Sequence, residues 1–411
     1  MTTNKTVNYF IIIICIIVIA FSGFNSYLIY SNNSTQQEQL NELKNRLSAV
    51  ETTLSNLSNK INVTEYEAEI LRLNSSINDL KYQLSNLENA GAYLLNQTPA
   101  NIYKSAHKSV VVIRTPLGQG SGFLYGNSSL ILTNWHVVES ETVIEVEFYD
   151  RSRKNATLVG SDAYADVAVI MVPAAPLDAR PLQLESSSNL WIGQQVVAIG
   201  NPLGLTGSLS SGYISQINRR ISITGLPIIV PVLQLDITIA PGSSGGPLLD
   251  LSGNVVGITN AGTSYGINFA VPSNIVERVA SSIIEKGYYQ HPMVGFNGIE
   301  LTPETIKSMN IINIDPFQSG LLITDVTANT PAAKAGLRPA VATQDSGGSR
   351  AYSAMDIILT VDGHPTLSFE DWSAYVEENV SPSQPITLTL WRSGNLESVV
   401  VTTTYRPQYQ T

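Results

Sequence analysis

PGSSGGPLLDLSGNVVGI (241–258) sets two adjacent serines among glycines, a proline on either side, directly after the apolar run LQLDITIA (233–240). A Gly/Ser-rich turn between two strand-like runs is often only a connection. It can also present a nucleophile, because a tight glycine-rich loop aims successive backbone N–H groups at one point, as the oxyanion of an acyl-transfer intermediate requires. The flanking sequence suits either role. Short apolar runs alternate with Gly, Pro and Asn: SVVVIRT (109–115), SGFLY (121–125), SLILTNW (129–135), TVIEVEFY (142–149), DVAVIMV (166–172), QQVVAIG (194–200), PIIVPVLQLDITI (227–239) and NVVGITN (254–260). Connections too short for crossover helices predict an antiparallel sandwich or pair of barrels.

Two further features of this segment bear on the serines. LTNWHVV (132–138) places His136 at the end of an apolar run, and DAYADVAVIMV (162–172) places Asp166 at the start of the next. A serine hydroxyl attacks poorly unless an imidazole takes its proton, and a buried carboxylate keeps that imidazole in the right tautomer. Taken singly, a histidine after a strand or an aspartate capping one is usually structural. The ordered set His…Asp…Ser within one β-rich segment carries the weight.

TNWHVV, DVAVIMV, IGNPLGL (199–205), PGSSGGPLLDLSGNVVGI and GINFAVP (266–272) resemble, in order, the signature blocks of HtrA/Deg-type serine proteases, over about residues 103–288. The resemblance implies a mainly β, trypsin-like double β-barrel over 99–288. It makes His136 the general base, Asp166 its orienting carboxylate and Ser244 the nucleophile. Asp162 competes with Asp166, but only Asp166 directly precedes the apolar run, as the family's acid does. By the same resemblance the N–H groups of Gly242, Ser243 and Ser244 form the oxyanion hole, and Ile239, Ile267, Asn268 and Phe269 line the specificity pocket. No charge among these four implies small or medium aliphatic side chains before the scissile bond. Two positions depart from the family pattern. Ser243 replaces the usual Asn, and Trp135 stands where a small or polar residue usually precedes the histidine, altering the packing beside the base.

After SNIVERVASSIIEKGYY (273–289), an amphipathic helix by its spacing, residues 291–405 resemble an α+β PDZ domain of the kind these proteases carry. Such a domain binds a peptide C-terminus as an added strand, its carboxylate received by backbone N–H groups. The matching loop here is Phe296-Asn297-Gly298-Ile299. The segment AVATQDSGGSRAYSA (340–354) is an insertion whose composition predicts a mobile surface loop.

The N-terminus reads differently. No charged residue occurs from Thr6 to Gln37, and YFIIIICIIVIAF (9–21) is almost wholly apolar. Residues 9–30 are long enough for a transmembrane signal-anchor helix, with 1–8 cytoplasmic and the bulk outside the cytoplasm; a cleaved signal peptide is the alternative. From Leu40 to Leu87 apolar residues recur at spacings of three and four with a phase slip near Asn62. This predicts a coiled-coil stalk over 36–89, or an antiparallel helical hairpin breaking at Asn62. A net charge of −10 with no basic stripe argues against nucleic acid. One cysteine, Cys15, excludes an intramolecular disulfide, and four scattered histidines give no metal-ligand spacing.

The expected protein is thus a membrane-tethered extracytoplasmic serine endopeptidase needing no metal or cofactor. Its partners would be misfolded or damaged proteins and peptide C-termini at the PDZ domain, and family resemblance implies a homo-oligomer, a trimer or a multiple of one. A PDZ-based peptide sensor or chaperone with a dormant protease site is the alternative.

Overall fold

The computed structural model describes residues 33–58, 74–75, 77–83, 85, 98–201, 207–221, 226–260 and 267–409. The expected membrane span at 9–30 lies outside them. Among the described residues no helix is long and apolar enough to cross a bilayer. The chain divides into two units, Met1–Asn96 and Gln97–Thr411.

In the first unit, Asn33–Ser58 forms one helix. Leu43, Leu47 and Val50 are half-buried where the residues between them are exposed, as the heptads predict. Ile77 is buried, and the Lys81–Glu51 ion pair brings this helix beside residues 77–83, as the hairpin alternative expects. The described residues thus show helix over part of the expected stalk at 36–89 and give no support to a coiled coil between copies.

The second unit begins with two closed antiparallel barrels. The first has strands β1 (Val110–Thr115), β2 (Gly118–Tyr125), β3 (Leu130–Thr133), β4 (Ile144–Glu147), β5 (Arg153–Asp162) and β6 (Val167–Met171), in the order β1-β2-β3-β6-β5-β4. The second has β7 (Gln195–Gly200), β8 (Ser208–Arg219), β9 (Val232–Asp236), β10 (Pro247–Leu249), β11 (Val255–Asn260) and β12 (Asn268–Pro272), in the order β10-β11-β12-β9-β8-β7. Their runs read as continuous rather than alternating because several strands are buried on both faces. In β6, Ala168 and Ile170 point into the first barrel, while Val167 and Val169 enter a core shared between the barrels. In β7, Val196 and Ala198 fill the second barrel, and Val197 and Ile199 reach the same shared core. The helix Ser273–Lys286 closes that core with Ile275, Val276, Val279, Ala280 and Ile283, all on one face. Each of the four Ile and Val side chains, fully buried, contributes about 1.5–3 kcal/mol of transfer free energy. The long run 227–239 yields only a five-residue strand, because Pro231 lacks an N–H for the ladder.

The PDZ part is built on a six-stranded sheet, in which His364–Pro365 pairs with Asp356–Val361 beside the main five-strand path, with the helix Phe369–Asn379 on its core side. A capping box starts that helix, Ser368 accepting from Asp371 N–H and Asp371 accepting from Ser368 N–H. The strand Phe296–Glu300 is at the sheet edge, paired on one side with Leu321–Val326. Residues 340–354 do not form the expected loop. Val341–Gln344 and Arg350–Ser353 pair as a β-hairpin, and the latter strand runs beside Ile311–Ile312. Asp345 organises the turn by accepting from Gly347 N–H, Ser349 N–H and Asn310 Nδ2, and Ala351 and Ala354 are buried.

His291 joins the protease and PDZ parts. Its Nε2–H donates to Asp162 Oδ1 at 2.8 Å and its Nδ1–H to Glu377 Oε2 at 2.6 Å, with all three side chains buried. Burial works against the imidazolium, but the charges and hydrogen bonds of Glu377 and Asp162 outweigh it and raise the pKa to about 9. The folded state therefore holds a proton that the unfolded chain, with a pKa of 6.5, releases. The stabilisation is complete below about pH 6.5 and lost as pH rises towards 9. His291→Leu leaves two carboxylates buried without their cation and should cost about 3–5 kcal/mol near pH 6. Thermal melting from pH 6 to 9.5 checks this: the wild-type advantage over the variant should shrink across that window.

Candidate active site

His136 and Asp166 are in direct contact, and the turn that carries Ser244 lies against the connection that carries His136. The last residues of β3 lead into a single helical turn, Trp135–Val138, so the start of that turn carries His136. Asp166 ends the turn between β5 and β6 with a positive φ of 53°, a conformation that aspartate tolerates better than most residues. That turn is fixed by Ala165 N–H donating to Asp162 Oδ1 at 2.7 Å, and by Asn134 Nδ2 donating to the Asp166 carbonyl at 2.8 Å. Asp162, the competing acid, is thus engaged with Ala165 and His291. Asp166, wholly buried, receives the His136 Nδ1–H at 2.9 Å on Oδ2 and the His136 backbone N–H at 3.0 Å on Oδ1. Burial alone would lower the His136 pKa. The Asp166 hydrogen bond and charge, with the charge of Glu139, outweigh it and raise the pKa above its ordinary value.

The serine turn is held by the first barrel as well as its own. Ser121 on β2 donates its N–H to the Ser244 carbonyl and its Oγ to the Gly242 carbonyl, both at 2.8 Å. Its Oγ accepts from Asn201 N–H, just past β7, at 2.9 Å. Gly245 has φ +87°, and a Cβ there would lie 2.1 Å from the Ser121 carbonyl and 3.2 Å from Asn134 N, two residues before His136. Only glycine allows that approach. The two serines now differ. A Cβ on Gly200 would fall 2.7 Å from Ser243 Cβ and 2.8 Å from its Oγ, so the Ser243 side chain packs against the end of β7. Its N–H donates to the Ala240 carbonyl at 3.0 Å, and its carbonyl accepts from Thr259 Oγ1 at 2.9 Å. Among the described residues the N–H groups of Gly242 and Ser244 have no partner, nor does the Ser244 hydroxyl.

Of the expected pocket residues, Ile239 packs on the second barrel's core and Ile267 is 40% exposed, whereas Phe269 is buried. Asn268 is buried as well, its Nδ2 donating to the Ile237 carbonyl. In the PDZ part, the Phe296 side chain turns into the core. Its ring lies 4.8 Å from Trp372 and 5.8 Å from Phe369, inside the core. Asn297 is exposed, and Gly298 and Ile299 are half-buried, along the sheet's free edge. Sequence reading missed Ser121, Thr133, Asn134 and Thr259. Their signal is faint, a polar residue inside an apolar run, and each holds backbone rather than substrate.

Residues 120–258 match the trypsin-like peptidase domain and residues 295–403 the PDZ domain. Two facing barrels followed by this sheet therefore define a trypsin-like peptidase carrying a PDZ module. The chain is 34% identical over 303 residues to Protease Do-like 1, chloroplastic, of Arabidopsis thaliana, covering 72% of this chain and 66% of that protein. It is 36% identical over 288 residues to a Probable periplasmic serine endoprotease DegP-like of Halomonas elongata, covering 69% and 56%. The solved HtrA-type protease AlgW with tripeptide aligns at 30% identity and a TM-score of 0.60, covering 76% of this chain and 98% of that one. The chain belongs to the HtrA-type serine proteases. It spans about half to two thirds of the length of the curated relatives it matches.

Proposed function

We propose that this protein is a serine endopeptidase that cleaves unfolded protein segments through an acyl-enzyme, with Ser244 as nucleophile, His136 as general base and Asp166 as its orienting group. The observation that carries this is the contact of half-buried His136 Nδ1 with the buried Asp166 carboxylate, which favours the proton on Nδ1, beside a serine turn anchored to both barrels. With Nδ1 occupied, Nε2 is left to take the Ser244 proton and later pass it to the leaving amine. The Gly242 and Ser244 N–H groups receive the oxyanion; Ser243, whose N–H is bonded to Ala240, shapes the turn instead of donating. An uncharged wall containing Ile239 and Ile267 favours small or medium aliphatic side chains before the scissile bond. The free edge from Asn297 to Ile299 takes a peptide C-terminus as an added strand. The apolar segment 9–30 tethers the enzyme to a membrane with its bulk outside the cytoplasm, and copies assemble as a trimer or a multiple of one.

One observation favours a second reading, a PDZ-based sensor or chaperone with a dormant site: the Ser244 hydroxyl makes no hydrogen bond to His136. Catalytic hydrogen bonds often close only with substrate bound, so the endopeptidase reading stands first. Treatment of the full chain with a fluorophosphonate should label Ser244 and block cleavage of an unfolded protein, with cuts after aliphatic residues. No labelling, with peptide binding intact, supports the sensor instead, and cuts after Lys, Arg or acidic residues overturn the pocket assignment.

A further inference from the structure

Trp135, the bulky residue directly before the general base, is 6% exposed, and the chain's own C-terminal segment packs against it. After the PDZ sheet, Thr404–Tyr405 pairs antiparallel with Pro292–Met293, and the backbone returns to the protease domain. Arg406 N–H donates to the His291 carbonyl at 2.8 Å, and its guanidinium lies 5.6 Å from the Tyr164 ring centroid. Tyr164 Oη donates to the Pro407 carbonyl at 2.9 Å. The Tyr409 ring then stands edge-on to two others: Trp135, with centroids 5.9 Å apart and planes at 88°, and Tyr164, at 6.1 Å and 71°. Those two rings flank the catalytic pair in sequence. Trp135 immediately precedes His136, and Tyr164 lies in the turn two residues before Asp166.

We infer that residues 406–409 form a strap that positions the triad, with Tyr409 as its key side chain. The inference rests on the endopeptidase reading. His136 and Asp166 come from separate connections, β3 to the Trp135 turn and β5 to β6, so their relative placement depends on what ties those connections together. Asn134 and the Asp166–His136 hydrogen bonds do so from inside. The Tyr409 ring does so from outside, touching one ring from each. Tyr and Trp are stiff side chains with two torsions each, so an edge-on contact restricts the backbone that carries them. Tyr409 touches no reacting atom, and its effect is on the geometry from which the imidazole takes the serine proton.

The test is steady-state cleavage of an unfolded protein by the full chain, with fluorophosphonate acylation rate and melting temperature recorded alongside. Tyr409→Ala should lower kcat and the acylation rate about five-fold, as partial expression in the transition state of its ring contacts with Trp135 and Tyr164 would. KM and melting temperature should stay unchanged, and Tyr409→Phe should restore the rate because the ring, not the hydroxyl, makes the contact. In a Trp135→Leu background, Tyr409→Ala should lose much less. Unchanged kcat in Tyr409→Ala, a change in KM alone, a loss that only follows melting temperature, or an equal loss in the Trp135→Leu background would each overturn the strap. Cleavage by the wild type with a loss far beyond a hundred-fold in Ser244→Ala keeps that outcome distinct from failure of the endopeptidase reading.

Discussion

Ser244→Ala is expected to lower kcat for cleavage of an unfolded protein by about a million-fold, the scale of losing the nucleophile of a serine triad. The fold should hardly notice. The Ser244 hydroxyl makes no hydrogen bond among the described residues, so its removal leaves no buried partner unsatisfied and should change stability by no more than about 0.5 kcal/mol. The turn keeps its shape because its anchors are backbone groups: the Ser244 carbonyl on Ser121 N–H and the Gly242 carbonyl on Ser121 Oγ. Residual activity well above the uncatalysed rate should persist, from bound substrate and from the Gly242 and Ser244 N–H donors that the substitution leaves in place. Ser243→Ala is the matching control. Its side chain faces Gly200, so it should perturb packing at the end of β7 and reduce turnover far less. Cleavage by Ser244→Ala within a hundred-fold of wild type, with Ser243→Ala inactive, would reverse the assignment of the two serines.

The barrels were legible because several of their strands are buried on two faces, leaving runs such as VAVI (167–170) that neither a loop nor a surface helix would tolerate. The contact of His136 with Asp166 was legible because they sit at the end of β3 and the start of β6, two apolar runs that pair side by side. Other features were not. Ser121 looks like any strand serine, and its role comes from a partner 121 residues away, a separation no local pattern records. The hairpin at 341–353 was hidden because its turn, DSGGS, has loop composition while its pairing depends on Ile311–Ile312. The motif that places Phe296 in the carboxylate loop says nothing of its side chain, whose ring points to Trp372 because side-chain direction alternates along a strand. His291 carried no sequence signal at all. Its two carboxylates lie 129 and 86 residues away. Trp135 was visible only as a departure, and the Tyr409 contact gives that departure a physical partner.

Asp166→Asn is expected to lower kcat about ten-thousand-fold while leaving the site assembled. The reason lies in which oxygen does what. Asp166 Oδ1 accepts the His136 backbone N–H at 3.0 Å, a contact that only an oxygen can make. An asparagine here keeps its carbonyl oxygen on that N–H and turns its amide NH2 towards Nδ1. The imidazole must then accept at Nδ1 and carry its proton on Nε2, where it cannot take one from Ser244. The pH profile gives a second readout. In the wild type Asp166 outweighs burial and raises the His136 pKa, so the neutral, active imidazole is lost as pH falls through a value above 6.5. Without the carboxylate charge, burial dominates, and the acid limb of the remaining activity should move to lower pH. Asp162→Asn should do something different. Asp162 serves Ala165 N–H and the His291 imidazolium, so its loss should weaken the junction between protease and PDZ parts and lower the melting temperature. Turnover within ten-fold of wild type in Asp166→Asn, or an acid limb that does not move, would show that another group orients His136.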